Sequence, residues 1–292
     1  MRHAVLTVAS AARRAHLERQ RAVLAEVAPD VMRVEVFLDA AVPDGIRDAD
    51  VRTLHVPSGP HGLRVGAGRN VAAAAAIAEG AELLVFLDVD CLPGPEVFAR
   101  YADAAAAHPD ALLAGPVTYL ASVQRPAVAD LPHVTRPHRA RPALPAGETR
   151  VAEPDEYDLF WSLSFAVTPS TWERLGGFHD AYEGYGAEDT DLAWTARAAD
   201  VPLVWTGGAD AYHQWHPVSS PPWQHLDDIL RNGAAFHRRW GVWPMRGWLE
   251  AFADAGAIER RGDAWVRLPI AWGCRNCPLW VRTVGSCCPL SF

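Results

Sequence analysis

The segment "ELLVFLD", residues 82–88, constrains the fold of this chain more than any other. Leu83, Leu84, Val85, Phe86 and Leu87 follow one another with no polar alternation. A strand built from them has to be covered on both faces, as the strands of a parallel sheet are. It then runs directly into Asp88-Val89-Asp90, and the chain turns at Pro93, Gly94 and Pro95. Unpaired buried charge is expensive, so a buried strand that ends on two carboxylates calls for a partner of opposite charge. A strand-ending surface turn accounts for the same residues. The alternative is a strand that delivers oxygen ligands to a divalent cation. If Asp88 and Asp90 both lie on the strand, their side chains share a face. They could then bind one cation together, or divide cation and sugar hydroxyl between them.

The surrounding pattern supplies the sheet. Residues 3–9 and 31–40 read as strands, the second ending in Asp39, and 11–28 as an amphipathic helix between them. An alanine-rich helix over 68–80 stops at a glycine, a helix over 95–107 opens on Pro95, and 110–117 gives a further strand. Strands alternating with helices predict right-handed crossover units and a ligand cleft at the carboxyl ends of the strands. Asp39, Asp88 and Asp90 all fall at such ends. From 119 to 157 prolines recur without periodicity, an irregular excursion of the kind that is usually functional or mobile. Order returns with a helix over 188–200 and a strand over 202–206, and the chain continues into a helical stretch. No internal repeat is present.

Composition narrows the class. Half of the 292 residues are hydrophobic and 21% are charged, which fits a globular chain and not a disordered one. A formal charge of −8 argues against a nucleic-acid surface, since phosphate backbones are met by clustered Lys and Arg. The opening "MRHAVLTVAS" is too short for a signal segment, and no window holds eighteen consecutive apolar residues. The chain therefore reads as soluble and cytoplasmic, without a transmembrane segment, which leaves peripheral membrane contact open. Cys274, Cys277, Cys287 and Cys288 crowd the end of the chain. Their vicinal pair is poor zinc spacing, so they are assigned no role.

Three further clusters could carry chemistry. In "AYHQWHP", His213 and His216 flank Trp215, and two imidazoles with a carboxylate suit Mn²⁺, Fe²⁺ or Zn²⁺. In "GGFHDAYEGYGAEDTDLAW", Gly176, Gly177, Gly184 and Gly186 permit close backbone approach, while Glu188, Asp189 and Asp191 gather where a helix starts. Complementing the helix dipole explains one or two of these acids. The interleaved Phe178, Tyr182 and Tyr185 point further, to a sugar, whose C–H face stacks on rings while carboxylates hold its hydroxyls. "GAGRN" (66–70) follows no strand and lacks a third glycine, so it is no dinucleotide fingerprint, although Arg69 and Asn70 could meet a phosphate at a helix start. Among the twelve tryptophans, Trp161, Trp194, Trp205 and Trp265 sit in apolar runs and read as core. Trp215 and Trp223 are the better candidates for stacking on an acceptor, with core packing at least as good an account of each.

Taken together, these residues resemble the GT-A glycosyltransferases, specifically glycosyltransferase family 2 and its galactosyl- and N-acetylgalactosaminyltransferase relatives. The resemblance runs from about residue 3 to 220. It rests on "LGGFHDAYEGYGAEDTDLAWTARAAD", on "FLDVDCLP" about ninety residues earlier, and on the R-N of "GAGRN". It implies an α/β fold of the nucleotide-diphospho-sugar transferase type, with a mostly parallel central sheet flanked by helices. It also implies a catalytic domain over 1–220, in which 1–118 binds the nucleotide sugar and 158–220 forms the acceptor and metal side. The remainder, 221–292, is then a helical extension with a cysteine-rich tail.

The implied activity is inverting transfer of a hexose, galactose or an N-acetylhexosamine, from a UDP-sugar to a saccharide, lipid-linked or peptide acceptor. The implied cofactor is Mn²⁺ or Mg²⁺ held by Asp90 with His213 or His216. Asp88 would face the ribose or the metal's water shell, and Ala9, Asp39 and Arg69 would meet the nucleotide. Asp189 would act as general base, with Glu188 holding the acceptor and Tyr185, Gly186 and Trp215 beside it. His179 departs from the family pattern, which usually has an acid there. Two alternatives remain at this point. A nucleotidyltransferase would be expected to carry a glycine after the first strand that "VASAARRAH" lacks, and a non-catalytic carbohydrate-binding protein would not need the full set of acids and histidines.

Overall fold

The computed structural model describes residues 1–269 and divides the chain into two compact units, Met1–Pro217 and Val218–Phe292. The four terminal cysteines lie outside the described residues.

In the first unit, β1 (His3–Ala9) leads through a short 3-10 turn into α1 (Arg14–Val27), followed by β2 (Met32–Phe37) and β3 (Arg52–His55). Helix α2 (Val65–Ala78) precedes β4 (Leu83–Leu87), β5 (Cys91–Pro93), α3 (Val97–Ala107), β6 (Leu112–Ala114) and β7 (Val117–Tyr119). Then come α4 (Leu131–Val134), β8 (Thr149–Val151), β9 (Ser164–Val167), α5 (Pro169–Leu175), α6 (Glu188–Ala198), β10 (Leu203–Thr206) and β11 (Ala211–His213).

Eight strands form one sheet in the order β3-β2-β1-β4-β9-β6-β10-β8. It is mostly parallel, with β9 and β8 running against their neighbours. Its centre bears out the demand made by residues 83–87. Leu84 and Phe86 enter one core with Val167, Trp172 and Phe178, while Leu83, Val85 and Leu87 enter the core on the opposite face with Phe98 and Tyr101. A strand with two buried faces has no use for polar alternation, and each such side chain contributes about 1.5–3 kcal/mol on burial.

Sequence periodicity reads 110–117 as one strand, but the chain makes two. Gly115-Pro116 separates β6 from β7, and β7 leaves the large sheet to join a second one, ordered β5-β11-β7. Proline has no N–H to give a ladder, so the break falls where pairing cannot continue. In the small sheet His213 registers with Cys91 on one side and with Tyr119 on the other. This register sets His213 opposite the residue that follows Asp90.

Three helices also begin elsewhere than periodicity suggests. Helix α2 starts at Val65, so "GAGRN" lies inside it, α1 is preceded by the 3-10 turn Ala11–Arg13, and α3 opens at Val97 and not on Pro95. The proline-rich excursion contains α4, the edge strand β8 paired to β10, and a 3-10 segment Pro154–Leu159.

The second unit packs α7 (Leu226–Trp240) and α8 (Arg246–Asp254) with the hairpin β12 (Ile258–Arg261) and β13 (Ala264–Arg267). Its core is Leu226, Ile229, Leu249, Phe252 and Ile258. Trp223, one of the two acceptor-stacking candidates, packs into this core instead, 4.8 Å from the Phe252 ring. No helix among the described residues is long and apolar enough to cross a membrane.

Candidate active site

Strand β4 ends at Leu87, and Asp88–Asp90 lies in a turn closed by the Cys91 N–H donating to Asp88 O at 2.8 Å. Asp88 and Asp90 therefore do not share a strand face, as a continuous strand would require, and each carboxylate has its own partners. The turn is fixed from below by Gln20, a buried side chain of α1. Its Nε2 donates to Asp88 O and to Cys91 O, both at 2.7 Å, and its Oε1 accepts from the Thr7 hydroxyl. One amide thus bridges the two carbonyls at either end of the turn, adding to the Cys91 N–H bond that closes it, and holds the turn rigid.

Asp90 faces the histidines. Its Oδ1 lies 3.6 Å from His213 Nε2 and its Oδ2 lies 3.4 Å from His216 Nε2. The ligand atoms of the three residues all fall within 4.8 Å of one another. Arg13 Nε approaches Asp90 Oδ2 at 4.0 Å. Burial works to raise the Asp90 pKa, but the His216 hydrogen bond and the neighbouring His213, His216 and Arg13 outweigh it and hold the carboxyl below its ordinary range. Burial lowers the His213 pKa against the attraction of Asp90. The trio thus keeps a carboxylate beside an imidazole biased towards its neutral form, the protonation states in which these groups bind a metal. One oxygen and two nitrogens at this spacing fit Mn²⁺ better than Mg²⁺, which favours an all-oxygen shell.

Asp88 faces the opposite way. Arg69, on α2, donates to Asp88 Oδ1 at 2.6 Å, and its other terminal nitrogen, Nη1, lies 3.9 Å from Glu188 Oε1. Its guanidinium sits over the Phe178 ring, 5.0 Å from the centroid. Nη1 is buried and makes no hydrogen bond. Burial lifts the Asp88 pKa, with Arg69 opposing. At the carboxyl ends of β1 and β2, Leu38 N–H donates to Ala9 O, and Asp39 Oδ2 accepts the Ala11 N–H at 2.9 Å. These two bonds at the strand ends set Ala9 and Asp39 near each other.

The acids of "GYGAEDTD" sit at the first turn of α6. Gly184 and Gly186 take φ of 72° and 93°, and Ala187 follows at 78°, a left-handed conformation uncommon for a side-chain-bearing residue. The helix has no side-chain cap. A helix N-terminus favours ionised acids, yet burial wins here. Burial, reinforced by the charge of Asp189, pushes Glu188 up to about 7 against the pull of Arg69. Burial also lifts Asp189, whose Oδ1 accepts the Thr190 N–H at 2.7 Å. Asp191 is buried and accepts the Tyr182 hydroxyl at 3.0 Å, so it serves the fold of this loop.

Asn70 ties the loop to α2. Its Nδ2 donates to Phe178 O and its Oδ1 accepts the Phe178 N–H, both at 2.8 Å. The loop also docks on residues 59–63, where Gly184 N–H donates to Leu63 O and the Gly62 Cα stands too near Gly184 for a side chain.

Among the described residues, the large aromatic side chains more than a third exposed are Tyr119, Tyr185 and Trp215, at 48%, 38% and 43%. Tyr119 registers with His213, Trp215 stands between the two histidines, and Tyr185 precedes Gly186 and Glu188. Arg13, Gln20, Tyr119, Arg141 and His16, whose ring meets that of His216 edge-on at 6.1 Å, belong to the site or its support and carry no sequence motif. Gln20 alone left a signal, as a polar residue between Leu17 and Val23-Leu24 on the buried face of α1.

No profile of a known protein family matches the chain, and no curated protein matches its sequence. Solved structures do match in fold. GalNAc-T7 with UDP, GalNAc and Mn²⁺ is similar over 73% of this chain and 44% of its own, with a TM-score of 0.54 and 13% identity. Staphylococcus aureus TarS, residues 1–349, is similar over 81% of this chain and 66% of its own, at TM-score 0.54 and 13% identity. The same protein with UDP-GlcNAc covers 87% of this chain and 80% of its own, at TM-score 0.55 and 12% identity. The chain thus spans less than half of GalNAc-T7 and about two thirds of the first TarS structure. Both are GT-A glycosyltransferases, and the fold of this chain is theirs.

Proposed function

We propose that the protein is a metal-dependent, inverting glycosyltransferase that moves a hexose from a UDP-sugar to an acceptor hydroxyl. One observation carries this: the Asp90–His213–His216 donor set and the buried Glu188–Asp189 pair converge at the carboxyl ends of a GT-A sheet, joined through Asp88 and Arg69. An N-acetylhexosamine or galactose is the favoured sugar. The fold neighbours support the first of these, since they are seen with GalNAc and UDP-GlcNAc.

Residues 1–118 would hold the donor, with Ala9 and Asp39 beside the nucleoside and Asp88 beside the ribose. Asp90, His213 and His216 would hold Mn²⁺, or Mg²⁺ less well, and the bound cation would neutralise the departing diphosphate. Residues 158–220 would form the acceptor side. Asp189 would take the acceptor proton as the acceptor oxygen bonds to the anomeric carbon and the bond to the diphosphate breaks on the opposite face. Glu188 would hold the acceptor hydroxyl, beside Tyr185, Gly186 and Trp215. Arg69 ties Asp88 on the donor side to Glu188 on the acceptor side, so the two halves share one buried cation.

Calorimetric titration with UDP, GDP and dTDP, with and without Mn²⁺, on wild type and Asp90→Ala tests this. Mn²⁺-dependent binding of UDP that the substitution abolishes is the expected result. Absence of binding by any of the three to the folded protein would overturn the proposal.

A further inference from the structure

We infer that Tyr119, backed by His138 and Trp161, forms a stacking platform for a sugar ring of the acceptor. This rests on the transferase function proposed above and gives its acceptor a chemical class, a saccharide. The platform begins where β7 registers against β11. Tyr119 lies beside His213, ring centroids 4.7 Å apart and planes inclined at 32°. His138 meets Tyr119 edge-on at 5.7 Å, and Trp161 meets His138 edge-on at 4.9 Å. A row of rings therefore leads from the proposed metal site onto the proline-rich excursion, and Tyr119 at its head is about half exposed.

The excursion is built to hold that row still. An isolated bridge joins Thr118 and Pro137, the His138 N–H donates to Val117 O at 2.9 Å, and the Arg136 N–H donates to Thr118 Oγ1 at 2.9 Å. Beneath it, Arg141 is buried with no ion pair among the described residues. It donates to Gly115 O, Leu159 O and Trp161 O at 3.2, 3.0 and 2.7 Å, and its guanidinium lies 4.7 Å from the Trp161 ring centroid. A desolvated cation spent on carbonyls and on two indoles, the second being Trp205 at 5.5 Å, is costly. Its return is a loop whose aromatic face is fixed before any ligand arrives, which lowers the ordering cost of binding.

The occupant follows from the chemistry around the row. A pyranose has an apolar C–H face that lies on an aromatic ring and a rim of hydroxyls for carboxylates such as Glu188 and Asp189. A peptide strand would need an open sheet edge for its backbone. Here β7 has β11 on one side and the Thr118–Pro137 bridge on the other.

Saturation-transfer NMR on the full chain, with UDP and Mn²⁺ present, tests the platform against a panel of methyl hexosides, methyl N-acetylhexosaminides and a Ser/Thr-containing peptide. The expected result is transfer to protons on the C–H face of at least one glycoside, kept in Tyr119→Phe and weakened about tenfold in Tyr119→Ala. Because Tyr119 adjoins His213, each glycoside signal is scored against the UDP signal of the same variant. Tyr119→Leu, which keeps bulk without a ring, replaces the alanine variant should that one fail to fold. A glycoside signal indifferent to Tyr119→Ala, binding of the peptide alone, or binding of no glycoside overturns the platform. UDP binding in the same samples shows whether the transferase proposal falls with it.

Discussion

Arg69 Nη2 donates to Asp88 Oδ1 at 2.6 Å, while Nη1 of the same guanidinium stands 3.9 Å from Glu188 Oε1. One buried cation from α2 thus neutralises a carboxylate at the end of β4 and a second at the start of α6. Removing it leaves both acids without their shared partner in a desolvated site. Arg69→Met is expected to destabilise the protein by about 3–5 kcal/mol, read as a lower urea midpoint. Arg69→Lys, with a point charge in place of a fork, is expected to recover only part of the loss. A midpoint for the Met variant equal to wild type would show that the pair does not contribute as described.

Asn70 and Phe178 exchange two hydrogen bonds of 2.8 Å. Asn70→Ala strands a partly buried N–H and C=O of the loop that carries Tyr185 and Glu188. Each unsatisfied group costs about 1–3 kcal/mol. The expected outcome is a lower melting temperature together with faster amide exchange at Gly177 and Phe178. Unchanged exchange at those two amides would count against a clamping role.

Glu188 has its pKa raised to about 7 by burial, Asp189 adding to the rise. Between the ordinary glutamate pKa and about 7 the folded chain holds a proton that the unfolded chain has released. Stability from this group is therefore present at low pH and lost as pH rises through about 7. Glu188→Gln removes that loss. It is expected to gain on wild type by up to roughly 3 kcal/mol between pH 4 and pH 8. Chemical denaturation of both proteins across that range measures the difference, and a constant offset would contradict the assignment.

Mn²⁺ is expected to raise the melting temperature at pH 7.5, since a ligand that binds only the folded state stabilises it by about 2.7 kcal/mol at a hundred times its Kd. The effect should vanish in Asp90→Asn and fall only at a pH below the ordinary histidine range, where His213, biased to its neutral form by burial, takes up a proton and no longer binds metal. A shift of equal size in wild type and Asp90→Asn would place the ion elsewhere.

The sheet and the acids were legible in the residue order alone. Residues 83–87 could only be a strand with two buried faces, and the glycines of 176–186 announced a loop under tight backbone constraint next to Glu188 and Asp189. These features were legible because they are local: a period of side chains, or a spacing within one loop. The division of labour within Asp88-Val89-Asp90 was not. Nothing in the order of residues says that β4 stops at Leu87, because Gln20, from another helix, holds the turn that parts the two carboxylates. Nor does periodicity show that β7 leaves the large sheet at Pro116, which sets Tyr119 beside His213. Contacts between residues far apart in the chain are fixed by where whole elements pack. Only the tertiary structure could decide that Arg69 serves Asp88 and Glu188, that Trp223 is core, and that Arg141 pins the unpatterned excursion beside the site.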